Sequence, residues 1–397
     1  MGHPRLFSGL LAALVLGGTA ATALAAPAQT FTKKLDRAVS VPTGSAVHVE
    51  NLAGHVAIHP NDGSQVQITA TVVAGGDDMA AARALADTIR LDVSQQSGNV
   101  LVHVDYPVGQ HDRYRYIPTN PTRAKDHDIK VLGFRIGVGD HSSSSFDYQN
   151  ERVRVYQGSD HGVPLHVDLD VALPAGVKAR IDNRVGRIDA GHLRNDLELK
   201  TASGDMAIAD LTGSLSTHSG SGDMKVADVH GTVEAHTGSG DLELDRIDGS
   251  TEVHTGSGDI NGGHLGGQRV ELHTGSGDVT LDKLAGNLRV ETGSGDVKLN
   301  DLAKVAKARV EAGSGDIDLY GDLSAMQDFT LRSGSGDITL KTGTPPAVRL
   351  DISGSDIDVN WAGLRNVESG RRYFRADVGA ATGRGRISTG SGDVTLR

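Results

Sequence analysis

Over the second half of the chain, apolar and polar residues alternate in short runs that recur about every 18 residues. Leu242 and Leu244 alternate with Glu243 and Asp245. Val279 and Leu281, Val297 and Leu299, Ile317 and Leu319, and Ile338 and Leu340 repeat the pattern. A further apolar residue follows shortly after each run (Leu211, Val229, Ile247, Leu265, Leu284, Leu302). A second alternating run then closes the period, as in Val233-Ala235-Thr237 or Leu288-Val290-Thr292. Alternation of this kind puts one face of a strand inward and the other outward. Two strands and two turns in each period leave no room for a helix. Every unit exposes the same apolar residues, and stacking like on like buries them all. The pattern predicts an all-β fold, a single-stack parallel β-solenoid of two-strand coils rising about 4.8 Å per coil.

The turns carry the sharpest motif. Asp205, Asp223, Asp241, Asp259, Asp278, Asp296, Asp316 and Asp337 each follow Ser-Gly, and all but the first follow Gly-Ser-Gly. Asp356 and Asp393 extend the series, Asp356 without the second glycine. Ala53-Gly54-His55-Val56 and Val185-Gly186-Arg187-Ile188 fit the same template without the acid. Sharp corners need residues that tolerate positive φ, and a side chain there would strike the next coil. Thr237, Thr255, Thr274 and Thr292 precede the corner, where their hydroxyls can bond backbone groups.

The flanks break the period. Residues 1–25 read as a secretory signal peptide, with a basic start, an apolar run from Leu6 to Leu16, and Ala23-Leu24-Ala25 at the cleavage position. Residues 26–105 read as a β-rich cap with one helix, which Asp77 caps and which runs through Ile89. Residues 106–162, with Pro107, Pro118, Pro121 and the run Ser142 to Ser145, read as an irregular Tyr/Arg/Pro insert. Regular coils occupy 163–360, and 361–397 form a capping segment and the last coil. No later stretch is long and apolar enough for a transmembrane segment.

The repeated Gly-Ser-Gly-Asp-[Ile/Leu/Val]-x-[Leu/Val] unit, together with the signal peptide, resembles the bacterial putative-adhesin family of β-strand-repeat domains. The resemblance covers most of residues 40–397 and is weakest over 106–162. It implies the solenoid fold and export to the periplasm or cell surface, and it brings no catalytic residues with it.

Composition narrows the chemistry. With no cysteine, disulfides, thiolate metal sites and cysteine nucleophiles are excluded. A net charge of −11 argues against nucleic acid as a partner. No hydrolase elbow, zincin, P-loop or dinucleotide motif is found. The column Asp223, Asp241, Asp259, Asp278 and Asp296 could hold calcium or could accept backbone N–H groups within its own turns, and the second reading is favoured. His218, His236, His254 and His273 form one outward column, open to a transition metal or to pH sensing; a solvent-facing ladder that takes any polar residue, continued by Glu291 and Glu311, is the favoured reading. Arg113, Tyr114, Arg115 and Tyr116, with Trp361, Arg372 and Tyr373, are candidate contact residues; alternatively the rings cover the ends of the solenoid core, the favoured reading for Trp361. The expected function is noncatalytic, adhesin-like binding of an envelope or extracellular glycan or protein, with no cofactor required. A polysaccharide-acting enzyme and a calcium-stiffened structural repeat are the alternatives, and self-association through the solenoid ends stays open.

Overall fold

The computed structural model describes residues 29–42, 44–96, 98–117, 143–157 and 161–397. The expected signal peptide, residues 1–25, lies outside the described residues, as do Pro118, Pro121 and Ser142. The rest is a nearly all-β solenoid made of two long sheets that share one core. Each coil contributes one strand to each sheet, and successive coils pair in parallel. Leu215–Ser221 lies on Val233–Ser239, which lies on Thr251–Ser257. On the other side Met224–His230 lies on Leu242–Ile247. The inward residues meet in register (Leu215, Val233 and Thr251; Val226 and Leu244) and are buried.

The corner glycines set how closely the coils approach. A Cβ on Gly295 would lie 1.8 Å from the carbonyl oxygen of Gly277, and one on Gly258 would lie 2.0 Å from that of Gly240. At Gly222 and Gly240 the backbone also has positive φ, +143° and +152°. The opposite corner uses left-handed residues that are not glycine, Asp210, Asp228, Arg246 and Asp301 among them. Asp tolerates that conformation better than most residues, and cross-coil ion pairs such as Arg246–Asp228 form beside it.

Stacking order departs from chain order at both ends. The coil formed by Ala46–Ala53 and Val56–Asn61 packs directly on Lys178–Val185 and Ile188–Leu193, more than a hundred residues later. Val163–Pro174 covers its other side, parallel to Val56–Asn61 and antiparallel to Val66–Gly76. At the far end, Gly383–Thr389 and Val394–Leu396 slot between the Asp337 coil and the coil formed by Val348–Ser353 and Ile357–Val359. The coil that closes the chain is therefore not the last in the stack. The coil that stands last is the one where Ser355 replaces the second glycine. With no further coil above it, that coil leaves Ile357 and Val359 only half-buried.

Two sequence expectations are revised. The helix is Met79–Ala86: Asp78 rather than Asp77 caps its start by accepting the Ala81 N–H at 2.7 Å, and it ends three residues before Ile89, at the C-cap Asp87. Ile89 lies past the helix end but is still buried. The insert is not irregular throughout. Arg113–Tyr116, Ser143–Tyr148 and Glu151–Gln157 form a small sheet joined to the start of Val163–Pro174. The C-terminal segment carries an antiparallel hairpin, Leu364–Gly370 with Tyr373–Val378, on the edge of Val348–Ser353.

Gly295→Ala should destabilise the protein by about 3 kcal/mol, since the new methyl must displace a backbone carbonyl. Gly343→Ala, where nothing lies within 4 Å, should stay within about 0.5 kcal/mol of the parent. Urea unfolding of both variants checks the contrast.

Candidate functional site: ladders on the outer faces

Asp205 to Asp393 form a continuous hydrogen-bonded ladder. The Asp223 N–H donates to the Asp205 carboxylate at 3.0 Å, Asp241 to Asp223 at 3.0 Å, and Asp259 to Asp241 at 2.9 Å. Asp278, Asp296, Asp316 and Asp337 continue it at 2.7–2.9 Å. Asp393 then donates to Asp337, and Asp356 to Asp393. Every carboxylate from Asp205 to Asp337, and that of Asp393, thus accepts from the neighbouring coil, whereas the sequence reading placed that bond within its own turn; only Asp356 follows that reading, accepting the Ile357 N–H at 3.0 Å. The reason is register, since the parallel stack sets each Asp N–H over the acid one coil earlier. Two acids that the sequence reading missed belong to the same scheme, Asp168 accepting from the His55 N–H and Asp196 from the Ser214 N–H. Burial pushes the Asp205 carboxyl above its ordinary value.

Of the four threonines expected at this corner, Thr274 and Thr292 lock it from inside. Thr274 Oγ1 accepts the Gly277 N–H at 3.0 Å and donates to the Gly258 carbonyl at 3.1 Å. Thr292, Ser333 and Thr389 repeat the pair of bonds.

The opposite sheet carries a second ladder on its outer face. The rings of His218, His236, His254 and His273 stack at 4.9, 4.8 and 4.7 Å. A glutamate two residues earlier stands beside each of the last three, with Glu234–His236, Glu252–His254 and Glu271–His273 at 3.1–3.2 Å. Farther along, Arg289 pairs with Glu291 at 2.5 Å and Arg309 with Glu311 at 2.8 Å. A shallow, open groove runs along this edge. Its floor is Gly275, Gly293, Gly313 and Gly334, and its wall includes His273, Glu291, Glu311 and Arg332. The column is legible in the sequence at 18-residue spacing. The glutamate partners follow the same alternation and were the signal to read with it. Among the described residues, no three His, Cys, Asp or Glu side chains converge as a ready-made metal cage.

The aromatic candidates separate. Tyr114 and Tyr116 are buried, so their rings are packing elements and offer no face to a partner. Tyr114 lies edge-on to Tyr106 at 5.4 Å, and Tyr106 donates to the Ala53 carbonyl at 3.0 Å. Burial pushes the phenols of Tyr114 and Tyr116 well up. Arg113 is exposed, with Asp112 at 3.8 Å, and Arg115 is half-buried. Trp361 is buried in the core, which removes it as a contact residue. Tyr373 and Arg372 are exposed on the C-terminal hairpin, where Arg372 donates to the Gly390 carbonyl at 3.0 Å. The two clusters occupy opposite ends of the stack and are not brought together.

The fold and its ladders define a two-sheet β-solenoid of short coils with polar outer faces. The Toastrack DUF4097 family model matches residues 186–253 and 249–397, more than half of the chain, and the chain belongs to that family. No curated protein matches it. Among solved structures, a putative adhesin from Bacteroides fragilis is 10% identical, with 92% of this chain and 97% of that one covered and a TM-score of 0.27. A putative adhesin from Parabacteroides distasonis is 11% identical over the same shares, with a TM-score of 0.29. A putative lipid binding protein from the same organism is 10% identical, again over the same shares, with a TM-score of 0.27.

Asp259→Ala should cost about 1 kcal/mol, because the Asp278 N–H loses its acceptor. Asp259→Asn, which keeps a carbonyl oxygen there, should lose less; thermal unfolding of both variants is the check. A pH effect follows from His166, which is buried edge-on to Tyr116 at 5.1 Å and held below its ordinary pKa by burial. The unfolded chain then takes up the proton more readily, so stability is full above pH 6.5 and falls as pH drops below it. His166→Gln should flatten that decline in unfolding series run between pH 7.5 and 5.

Proposed function

We propose that this Toastrack protein is exported and acts as a noncatalytic, adhesin-like binding protein for a linear glycan of the cell envelope or surroundings. The groove beside the histidine ladder carries this reading. It is open at the surface, runs along the coil axis and presents similar polar groups at each coil. That repetition suits a polymer with its own regular repeat, and the glycine floor lets a flat sugar ring approach the backbone. The signal-like N-terminus supports export.

Hydrolysis of a glycosidic bond uses two carboxyl groups facing each other across the sugar, about 5–9.5 Å apart. Glu291 and Glu311 instead stand on one wall, one coil apart, each tied to an arginine on its own strand. That arrangement favours holding a glycan over cutting it.

Binding of the full chain to purified envelope polysaccharides, measured by biolayer interferometry, tests the proposal. A linear polysaccharide should bind, and Glu311→Ala with Arg332→Ala should weaken it about tenfold, near 1.4 kcal/mol. Release of reducing ends during the assay, or no difference between parent and variant, would defeat it.

A further inference from the structure

The histidine ladder has a property that glycan binding does not use. On the strands Val233–Ser239 and Thr251–Ser257, Nε2 of His236 and of His254 faces a glutamate oxygen at 3.1 and 3.2 Å. A carboxylate can only accept, so Nε2 carries the proton and Nδ1 keeps its lone pair. One ring N–H held by a carboxylate with the other nitrogen free is how proteins orient an imidazole for metal ligation. His273 differs, since its Nδ1 also faces a carboxylate, Glu291, at 3.1 Å. His218 follows Ser216 instead of a glutamate, and its ring is tilted 18° to that of His236. His236 and His254 remain as neighbours with matching surroundings, their rings 4.8 Å apart and 1° from parallel.

We propose that His236 and His254 form a two-imidazole site for a late first-row divalent cation, copper(II) ahead of nickel or zinc, with Glu234 and Glu252 orienting the rings. The preference follows the ordinary affinity order for nitrogen ligands. Metal–nitrogen bonds of about 2.0–2.1 Å put two ligating nitrogens at most roughly 4.2 Å apart. The rings must therefore tilt toward each other. They have room to do so, since their side chains are 33% and 38% exposed on the outer face. Water completes the coordination. No third protein donor is required, in keeping with the lack of a preformed cage among the described residues.

Titration of the full chain with copper(II) in a non-coordinating buffer at pH 7.5 tests this, read by calorimetry and electron paramagnetic resonance. The expected result is one tight ion per chain, with hyperfine structure from two imidazole nitrogens. His236→Gln with His254→Gln should abolish that signal. Glu252→Gln, which preserves the side-chain shape, should weaken binding about tenfold or more. His230→Gln, whose parent ring pairs with Asp248 on the other sheet, should change nothing. Unchanged copper affinity in a folded double variant, or a parent spectrum without imidazole nitrogen, overturns the assignment. Neither result depends on whether the groove binds glycan.

Discussion

The closeness of one backbone corner to the next governs this molecule. Where Gly295 passes under Gly277, a methyl group would sit 1.8 Å from a carbonyl oxygen, far inside contact distance. The same approach recurs from Gly54 through Gly186 and Gly204 to Gly392. It allows each coil to hydrogen-bond its neighbour fully, even around the turn. The Asp ladder and the Thr hydroxyls are consequences of that spacing. Both place a polar side-chain atom within bonding distance of a backbone group one coil away. Removing the glycine would remove the geometry that both depend on.

A stack built this way has a uniform interior and free outer faces. The interior takes Val, Ile and Leu in register, and the exterior is left to vary. That freedom permits a column of histidines on one sheet, with glutamates beside it and arginine–glutamate pairs farther along. Repetition along the axis turns each chosen residue into a line of similar groups. Lines of groups suit extended partners and shared ions better than a single enclosed pocket does. Sheet ends invite pairing with other chains; here Val163–Pro174 with Val66–Gly76 covers one end, and the hairpin Leu364–Val378 covers the far edge of Val348–Ser353 but not that of Ile357–Val359.

The solenoid, its two-strand coils and its inward residues were legible in the sequence, because Leu242, Leu244 and Ile247 recur in kind at every coil. The acid-free coils around Gly54 and Gly186 were legible for the same reason, and they do sit in the glycine column. The histidine column was legible too, while its pairing with Glu234, Glu252 and Glu271 needed the outer face to be seen as a whole. For Tyr114, Tyr116 and Trp361 the sequence left core packing and partner contact both open, because proline- and arginine-rich surroundings also fit an exposed loop. Burial depends on what packs over a ring, and for Tyr114 and Tyr116 the strands Arg113–Tyr116, Ser143–Tyr148 and Glu151–Gln157 join the stack at Val163–Pro174.

By itself, the sequence determined the repeat, the parallel stacking and the need for glycine at the corner, because all three follow from local periodicity and from sterics between identical units. Only the tertiary structure decided the order of the stack. The first coil meets residues 178–193, and the chain's final strands insert beneath an earlier coil. Equivalent coils offer nearly the same apolar and hydrogen-bonding surface, so no local signal says which neighbour each will choose. That choice rests on how the non-repeating segments close the two ends, and on which coil can stand last without its second glycine.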